Sequence, residues 1–367
     1  MNIKKLIIFN PSIESGGVEK NLELILNHFC KKFKNKVYFL SYDSSLKLDK
    51  SIKIIKPIIR INIKNRIFKY FICILSLIIF YFRNKNFVLF AFQANVYAII
   101  IARILNKKII VRANASPDKW ISNYKLFIIK FFYKLADEVI VNCYEFKDEV
   151  KKILNIKSTV IYNPINKKKI LLLSKKKFLF PFFDKFKNDI KILNIGRLTM
   201  QKNQIDLLKI INILKNKIPV KLLIIGTGNQ KVFLDKYIEN NKLNKVVNIL
   251  PYTKNPYVYF KKANIFLLTS LYEGLPNVLL EATLFKNFCI SYKCKTGPRE
   301  ILCNGKGGIL TNTFNYKKIA KEIEKYYFTI NKKNYTRMVE TSYLNLKNYD
   351  SQNQLVKYEK LISLYLK

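Results

Sequence analysis

Short apolar runs of four to six residues recur along this chain, each followed by a stretch with helical spacing, and the series occurs twice. The first series passes through Lys4–Phe9, Val37–Ser41, Phe87–Phe92, Lys108–Arg112, Glu138–Asn142 and Thr159–Tyr162. The second passes through Ile190–Ile195, Leu222–Ile225, Val246–Leu250, Ile265–Leu268 and Phe288–Ser291. Runs of that length bounded by turn residues suit buried strands, and the intervals suit amphipathic helices, including a long helical stretch ending at Phe82. Strands alternating with helices through right-handed crossovers form a parallel sheet covered on both faces. The chain is therefore expected to be α/β, with two doubly wound, Rossmann-like domains.

Asn163-Pro164 ends the first series, and the Lys- and Phe-rich stretch after it has no clear period. This predicts a first domain over 1–166, a linker over 167–188 and a second domain over 189–350. Residues 351–367 read as a closing helix, because Leu355, Tyr358, Leu361, Ile362 and Tyr365 recur at helical spacing. Open α/β sheets bind ligands beyond the carboxyl ends of their strands, so two such domains would face a cleft, and the turns there carry the functional reading.

The most informative turn is Leu267–Ala282, LLTSLYEGLPNVLLEA. Gly274 and Pro276 punctuate it, Pro276 suits the first turn of a helix, and Glu281 follows about one turn further in, about 5 Å along the axis. The free amides of such a helix start attract anions such as phosphate. A ligand bearing a phosphate and vicinal hydroxyls, such as a nucleotide sugar, suits this layout of Glu273 and Glu281; a surface helix with one loop glutamate and one solvated glutamate fits the segment equally. Gly196-Arg197-Leu198 and Gln201-Lys202-Asn203 follow the first strand of the second domain. An Arg fork and a mobile Lys suit a diphosphate, though in a lysine-rich chain they also suit an exposed loop. Gly226 and Gly228 form a truncated glycine pattern, lacking the third glycine of the dinucleotide fingerprint. Gly16-Gly17 opens the first helix, either for a ligand's close approach or for a tight turn.

Composition narrows the partners. The formal net charge is +43, from 67 Lys and Arg against 24 Asp and Glu. The abundance of Lys, Ile and Asn everywhere makes a chain-wide bias the main cause, yet the field still favours anionic membranes. No recognisable nucleic-acid motif gathers the lysines. Six cysteines without C-x-x-C spacing and one histidine, His28, leave little for a zinc site and suit reduced thiols in the cytoplasm. The N-terminal apolar run is too short for a signal peptide. Tyr70–Phe82 is too short to span a membrane; a buried helix is the first expectation and interfacial burial the second. Trp120–Ala136 mixes lysines with aromatics, which suits either a bilayer interface or a core helix.

Together, GGVEKN, LADEVIVNCYEFKDEV, VIYNPI, NIGRLTMQKNQIDLL, LLIIGTG, SLYEGLPNVLLEA, TGPREIL and GGIL resemble the retaining glycosyltransferases of family 4, or group 1, which have the GT-B fold. The resemblance spans nearly the whole chain and is nearest to members that build O-antigen, capsule or lipid-linked oligosaccharides. It implies that Glu281 holds ribose hydroxyls, that Glu273 faces the donor sugar, and that the backbone of Gly274, Leu275, Pro276 and Asn277 approaches sugar and phosphates. Arg197 and Lys202 then match the diphosphate pair, Gly17 faces a phosphate, and Gly196 and Gly226 belong to the donor site. Many members carry a histidine where this chain has Arg112-Ala113-Asn114, so Arg112 or Asn114 is a candidate donor or acceptor contact. The implied reaction moves a hexose or N-acetylhexosamine from a nucleotide sugar, UDP-linked by expectation, with retention and without cofactor or metal. The implied acceptor is a glycan or lipid-linked glycan, reached from the cytoplasm at the inner face of an anionic membrane; a soluble acceptor is the alternative, and nucleic acid is not expected as a partner.

Overall fold

The computed structural model of the chain describes residues 4–13, 16–43, 46–63, 65–114, 123–176, 179–186 and 188–367. It divides into two compact units, one formed by Met1–Pro164 with Ser351–Lys367 and the other by Ile165–Asp350.

The first unit runs β1 (Lys5–Phe9), α1 (Gly17–Lys32), β2 (Val37–Leu40), β3 (Lys53–Ile55), α2 (Arg66–Arg83), β4 (Phe87–Ala91), α3 (Asn95–Ile104), β5 (Lys108–Arg112), α4 (Asn123–Tyr133), β6 (Glu138–Val141), α5 (Tyr144–Leu154) and β7 (Thr159–Val160). All strand pairs are parallel, in the order β3-β2-β1-β4-β5-β6-β7. Burial on both faces explains the near-continuous apolar strands: Phe87–Ala91 is buried at every position. The edge strand β3 falls inside the interval expected to be helical as far as Phe82. Its three residues are too short a run to show a period, and α2 begins only at Arg66, where the Asn65 side chain caps it by accepting from Ile67 N and Phe68 N.

The second unit runs α6 (Lys167–Ser174), α7 (Pro181–Asp184), β8 (Ile190–Ile195), α8 (Gln204–Leu214), β9 (Val220–Ile225), α9 (Lys231–Asn240), β10 (Val247–Leu250), α10 (Tyr257–Phe260), β11 (Ile265–Leu268), α11 (Asn277–Leu284), β12 (Phe288–Tyr292), α12 (Pro298–Ile301), β13 (Ile309–Thr311), α13 (Tyr316–Phe328) and α14 (Lys333–Asn345). Its parallel sheet has the order β10-β9-β8-β11-β12-β13.

The segment 167–188 differs from the expected linker. Its described part carries α6 and α7 and belongs to the second unit, where Phe180 packs edge-on against Tyr259 at 5.2 Å and Asp184 pairs with Lys262 at 2.6 Å. Phe180 packs on α10, and Phe182 and Phe186 lie against Lys221 of β9, so these aromatics serve contacts with distant residues and follow no local period. The final helix α15 (Ser351–Leu366) returns to the first unit, where Tyr358 and Ile362 join the core under α1.

Candidate functional site

In the second sheet the chain steps from β8 to β9 and β10 on one side, then returns to β11 on the other. Loops leaving a central pair of that kind diverge and open a crevice at the carboxyl end of the sheet. The loops after β8 and β11 are the two singled out from the sequence.

The loop after β8 rests on glycine contacts. A Cβ at Gly226 would lie 1.9 Å from the Gly196 carbonyl oxygen, and one at Gly228 would lie 2.2 Å from that of Leu198. Leu198 N donates to Thr227 O at 2.8 Å, and Gln230 N donates to Leu198 O at 3.0 Å. Gly226 and Gly228 thus let two loops lie backbone to backbone, a packing reason for the truncated glycine pattern. Arg197 is exposed, while the Lys202 stem runs over Gly196, 3.6 Å from where a Cβ would stand.

The loop after β11 is strapped to this one. Leu271 N donates to Gln201 O at 2.8 Å, Gln201 Nε2 to Tyr272 O at 2.9 Å, and Thr269 Oγ1 to Asn203 O at 3.0 Å. The straps bring Lys202 Nζ to 2.5 Å from Glu273 Oε1, with both side chains largely buried. A third loop holds Glu273 from behind: its N–H donates to Lys295 O at 2.6 Å, its carbonyl accepts from Thr296 N at 3.1 Å, and Thr296 Oγ1 reaches Gly274 O at 3.2 Å. Gly297 has φ +93°, and a Cβ there would lie 2.3 Å from Gly274 O. The ion pair fixes Lys202, and an ammonium has three donors, so two remain to be directed at an anion.

Pro276 is the N-cap of α11, one residue before the expected helical position. Its carbonyl accepts from Leu279 N at 3.0 Å. No side chain caps this helix start and no acidic residue stands in its first turn, so the positive end of the dipole is not offset locally. Glu281 is 4% exposed and accepts from the Tyr257 hydroxyl at 3.3 Å. Glu273 is 6% exposed, so neither carboxylate is the solvated surface glutamate the segment alone allows.

A buried cluster beneath the Lys202 loop had no signal in the sequence. Asp206 accepts from Tyr292 OH at 2.7 Å, from Asn203 Nδ2 at 2.8 Å and from Lys209 Nζ at 3.0 Å. Burial, with the Asp206 carboxylate beside it, pushes the Tyr292 hydroxyl far above its ordinary range. The cluster anchors Asn203, whose left-handed backbone (φ 49°) turns the loop into α8. A recess of about 480 Å³ opens beside this loop, lined by Met200, Gln204, Phe233 and Tyr237 among others. Its lining includes neither glutamate nor any residue of 274–277.

The remaining candidates lie in the first unit. Gly17 opens α1, with Gly16 extended at the N-cap and the buried Glu19 in the first turn. Arg112 requires a correction. It is 1% exposed; its Nε donates to Tyr358 OH at 2.8 Å, its other nitrogens donate to Asn114 Oδ1 and Asn163 Oδ1, and its guanidinium lies over the Phe92 ring at 5.5 Å. It ties β5 to α15. Asn114 is drawn into the same cluster and donates to Phe92 O at 2.7 Å. His28 pairs with Glu359 at 3.1 Å.

Residues 175–344, which hold all the loops of the second-unit site, match the model of the family described as glycosyl transferases group 1. That match covers just under half of the chain and falls within the second unit. The chain is 35% identical over 261 residues to an uncharacterised glycosyltransferase of Methanocaldococcus jannaschii, an alignment covering 63% of this chain and 64% of that protein. A second relative, an amylovoran biosynthesis glycosyltransferase of Erwinia amylovora, is 33% identical over 47% of this chain and 48% of its own length, so the matched stretch spans half to under two thirds of these relatives. A Campylobacter jejuni transferase is 24% identical over 98% of both chains; its name describes transfer of N-acetylgalactosamine to a diphospho-undecaprenol-linked glycan. The fold is GT-B: the Anabaena protein Alr3699/HepE, solved in complex with UDP-glucose, superposes with a TM-score of 0.78 at 15% identity, covering 98% of this chain and 99% of that one.

Proposed function

We propose that this transferase moves a hexose or N-acetylhexosamine from a UDP-linked donor to a lipid-linked or other surface glycan, with retention at the anomeric carbon. The observation that carries the reading is the buried Lys202–Glu273 pair set close before the uncapped start of α11, with Glu281 one turn further in. Arg197 and Lys202 take the diphosphate, the α11 amides from Asn277 support it, Glu273 faces the sugar, and Glu281 takes the ribose hydroxyls. The bond from C1 to the phosphate oxygen breaks while the acceptor oxygen bonds C1 on the same face. The acceptor's proton passes to the departing phosphate oxygen. The protein supplies orientation and positive charge as the diphosphate leaves. Arg197 and Lys202 provide that charge, and the reading therefore requires no divalent cation. The relatives' names support the acceptor class, because two Campylobacter jejuni proteins are named for diphospho-undecaprenol acceptors. On this reading the enzyme works at the inner face of a membrane.

A screen of nucleotide sugars for thermal stabilisation, followed by mass analysis of products made on membrane extracts, tests the reading. UDP or a UDP-sugar is expected to raise the melting temperature, and transfer is expected to persist in EDTA. Arg197→Ala and Lys202→Ala are each expected to lower turnover about a hundredfold, the cost of one lost charge-stabilising group. Near-normal transfer by both variants refutes the diphosphate pair, and transfer that persists undiminished when a lipid-free sugar replaces the lipid-linked acceptor refutes the acceptor class.

A further inference from the structure

The helices α2, α3 and α4 connect β3 to β4, β4 to β5 and β5 to β6, all advancing in one direction across the sheet. Right-handed crossovers place them on one face, opposite α1. The packing agrees: Cys73, Leu77, Ala98 and Ile99 share one core with Phe132 and Tyr133 beside it, whereas α1 and α15 share another. Such a layer normally turns polar residues outward.

This one turns apolar residues outward. On α2, Ile72, Cys73, Ser76 and Leu77 are buried against the sheet, yet Phe68, Phe71, Ile79 and Phe82 on the opposite side are 47%, 55%, 47% and 72% exposed. Their spacing continues one stripe along the helix. On α3, Tyr97 and Ile104 are exposed one stripe apart, and Tyr97 meets Tyr70 of α2 at 6.1 Å. On α4, Tyr124, Phe127 and Phe131 are exposed, and none of its described side chains is fully buried. The helix over Tyr70–Phe82, expected to be buried, is thus half-buried, and in the described part of Trp120–Ala136 Phe132 and Tyr133 pack against the core while Tyr124, Phe127 and Phe131 are exposed. The neighbouring α5 shows the ordinary arrangement, with Asp148, Lys151 and Lys152 outward.

Basic residues outnumber acidic ones around this face, where Asp43 pairs with Lys69 and Asp137 with Arg103 and Lys108. Residues 56–136 contain fifteen Lys and Arg and a single acidic residue, Asp118. Arg66, Lys125, Lys130 and Lys134 are exposed on or just beyond the same helices. A helical layer with aromatics outward and basic residues among them matches the requirements of a lipid–water interface, where rings enter the acyl boundary and cations meet anionic headgroups. A second copy fits less well, because a two-fold contact would set the same basic residues against each other. Among the described residues no helix is long and apolar enough to cross a membrane.

We infer that the outer face of α2, α3 and α4 is a docking surface for an anionic phospholipid bilayer. It rests on the proposed lipid-linked acceptor only for its purpose; the binding itself is independent of catalysis.

The test is sedimentation of the full chain with phosphatidylcholine vesicles, with and without phosphatidylglycerol. The wild type is expected to pellet with the anionic vesicles and much less with the neutral ones. Phe71→Asp with Phe127→Asp, and separately Lys125→Glu with Lys130→Glu, are expected to weaken anionic-vesicle binding at least about tenfold, since these groups supply the inserted rings and the headgroup contacts. Melting temperature and its increase on adding UDP are expected to be unchanged in both double variants, which separates this surface from the donor site. Failure of the wild type to bind anionic vesicles, or unchanged binding by both variants, overturns the inference. So does a wild-type dimer in analytical ultracentrifugation that the Phe71 and Phe127 changes dissolve, because a second copy would then be the occupant.

Discussion

Gly226→Ala separates loop packing from ligand approach. In the structure an added methyl at Gly226 would lie 1.9 Å from the Gly196 carbonyl oxygen and 3.6 Å from Leu198 Cδ2. An ordinary carbon–oxygen contact is about 3.3 Å, so the two loops must part by about 1.4 Å. Neither strand end yields easily, because Gly226 N donates to Leu250 O at 2.9 Å and Gly196 N donates to Ile225 O at 3.0 Å. The displaced segment carries Arg197, and Gly196 lies beneath the Lys202 stem. A misplacement of about 1 Å costs a catalytic group about a hundredfold, and overpacking of this kind costs about 1–3 kcal/mol of stability. The expected result is transfer reduced about a hundredfold, weaker UDP binding by calorimetry and a lowered but cooperative melt. Gly196→Ala is the control: its methyl would meet Lys202 at 3.6 Å, an ordinary contact, so its rate is expected to stay within a few-fold of wild type. Normal transfer by Gly226→Ala would refute the rigid coupling of the loops. Equal damage from both changes would mean that the glycines serve ligand approach instead.

Arg112→Met is expected to lower stability by about 3–5 kcal/mol in urea unfolding, because it strands the buried Tyr358, Asn114 and Asn163 partners, while UDP affinity is unchanged. A drop in UDP affinity without loss of stability would return Arg112 to the ligand site. Glu281→Ala is expected to weaken UDP binding while leaving the donor-sugar preference intact, and calorimetry showing unchanged affinity would remove its ribose role. Burial pushes Asp137 upward, but the Lys108 ammonium, the Ile109 N–H and Arg103 outweigh it and hold the carboxyl below its ordinary value of 3.8. Its contribution is therefore complete above that value and is lost as pH falls through the lower folded-state value; the stability gap between wild type and Asp137→Asn should close only in that acid range. Burial raises Cys73 to about 12 and also raises Cys289 and Cys303, but Cys303 alone of the six is not fully buried, so mass spectrometry after brief iodoacetamide treatment should find Cys303 alkylated first.

Much of the fold was legible because its signals are local. The strand Ile190–Ile195 has the predicted bounds, as do Lys108–Arg112 and Ile265–Leu268, since β-branched and leucine runs buried on both faces need no partner to be recognised. The edge strands β3 and β13 were harder, being three residues each. At the site, the glutamates, the Lys202 turn and the glycines were visible as types and spacings. Their ion pair and the Thr296–Gly297 brace were not, because they join positions far apart in the chain.

The sequence by itself determined most of the strands and helices, and which turns bring Gly, Arg, Lys and Glu to the ends of the strands, because backbone conformation and periodicity are set by neighbours within a few residues. Only the tertiary structure decided what each side chain is spent on. Arg112 looked available until Tyr358, 246 positions away, came to meet it. Phe180 looked like linker until Tyr259 packed against it. The apolar residues of α2 and α4 looked like core until the sheet covered one side of α2 and left the other bare. Partners and cover are supplied by residues distant in sequence, and the physical reason is that a local pattern states what a group needs, whereas only the assembled fold states what it receives.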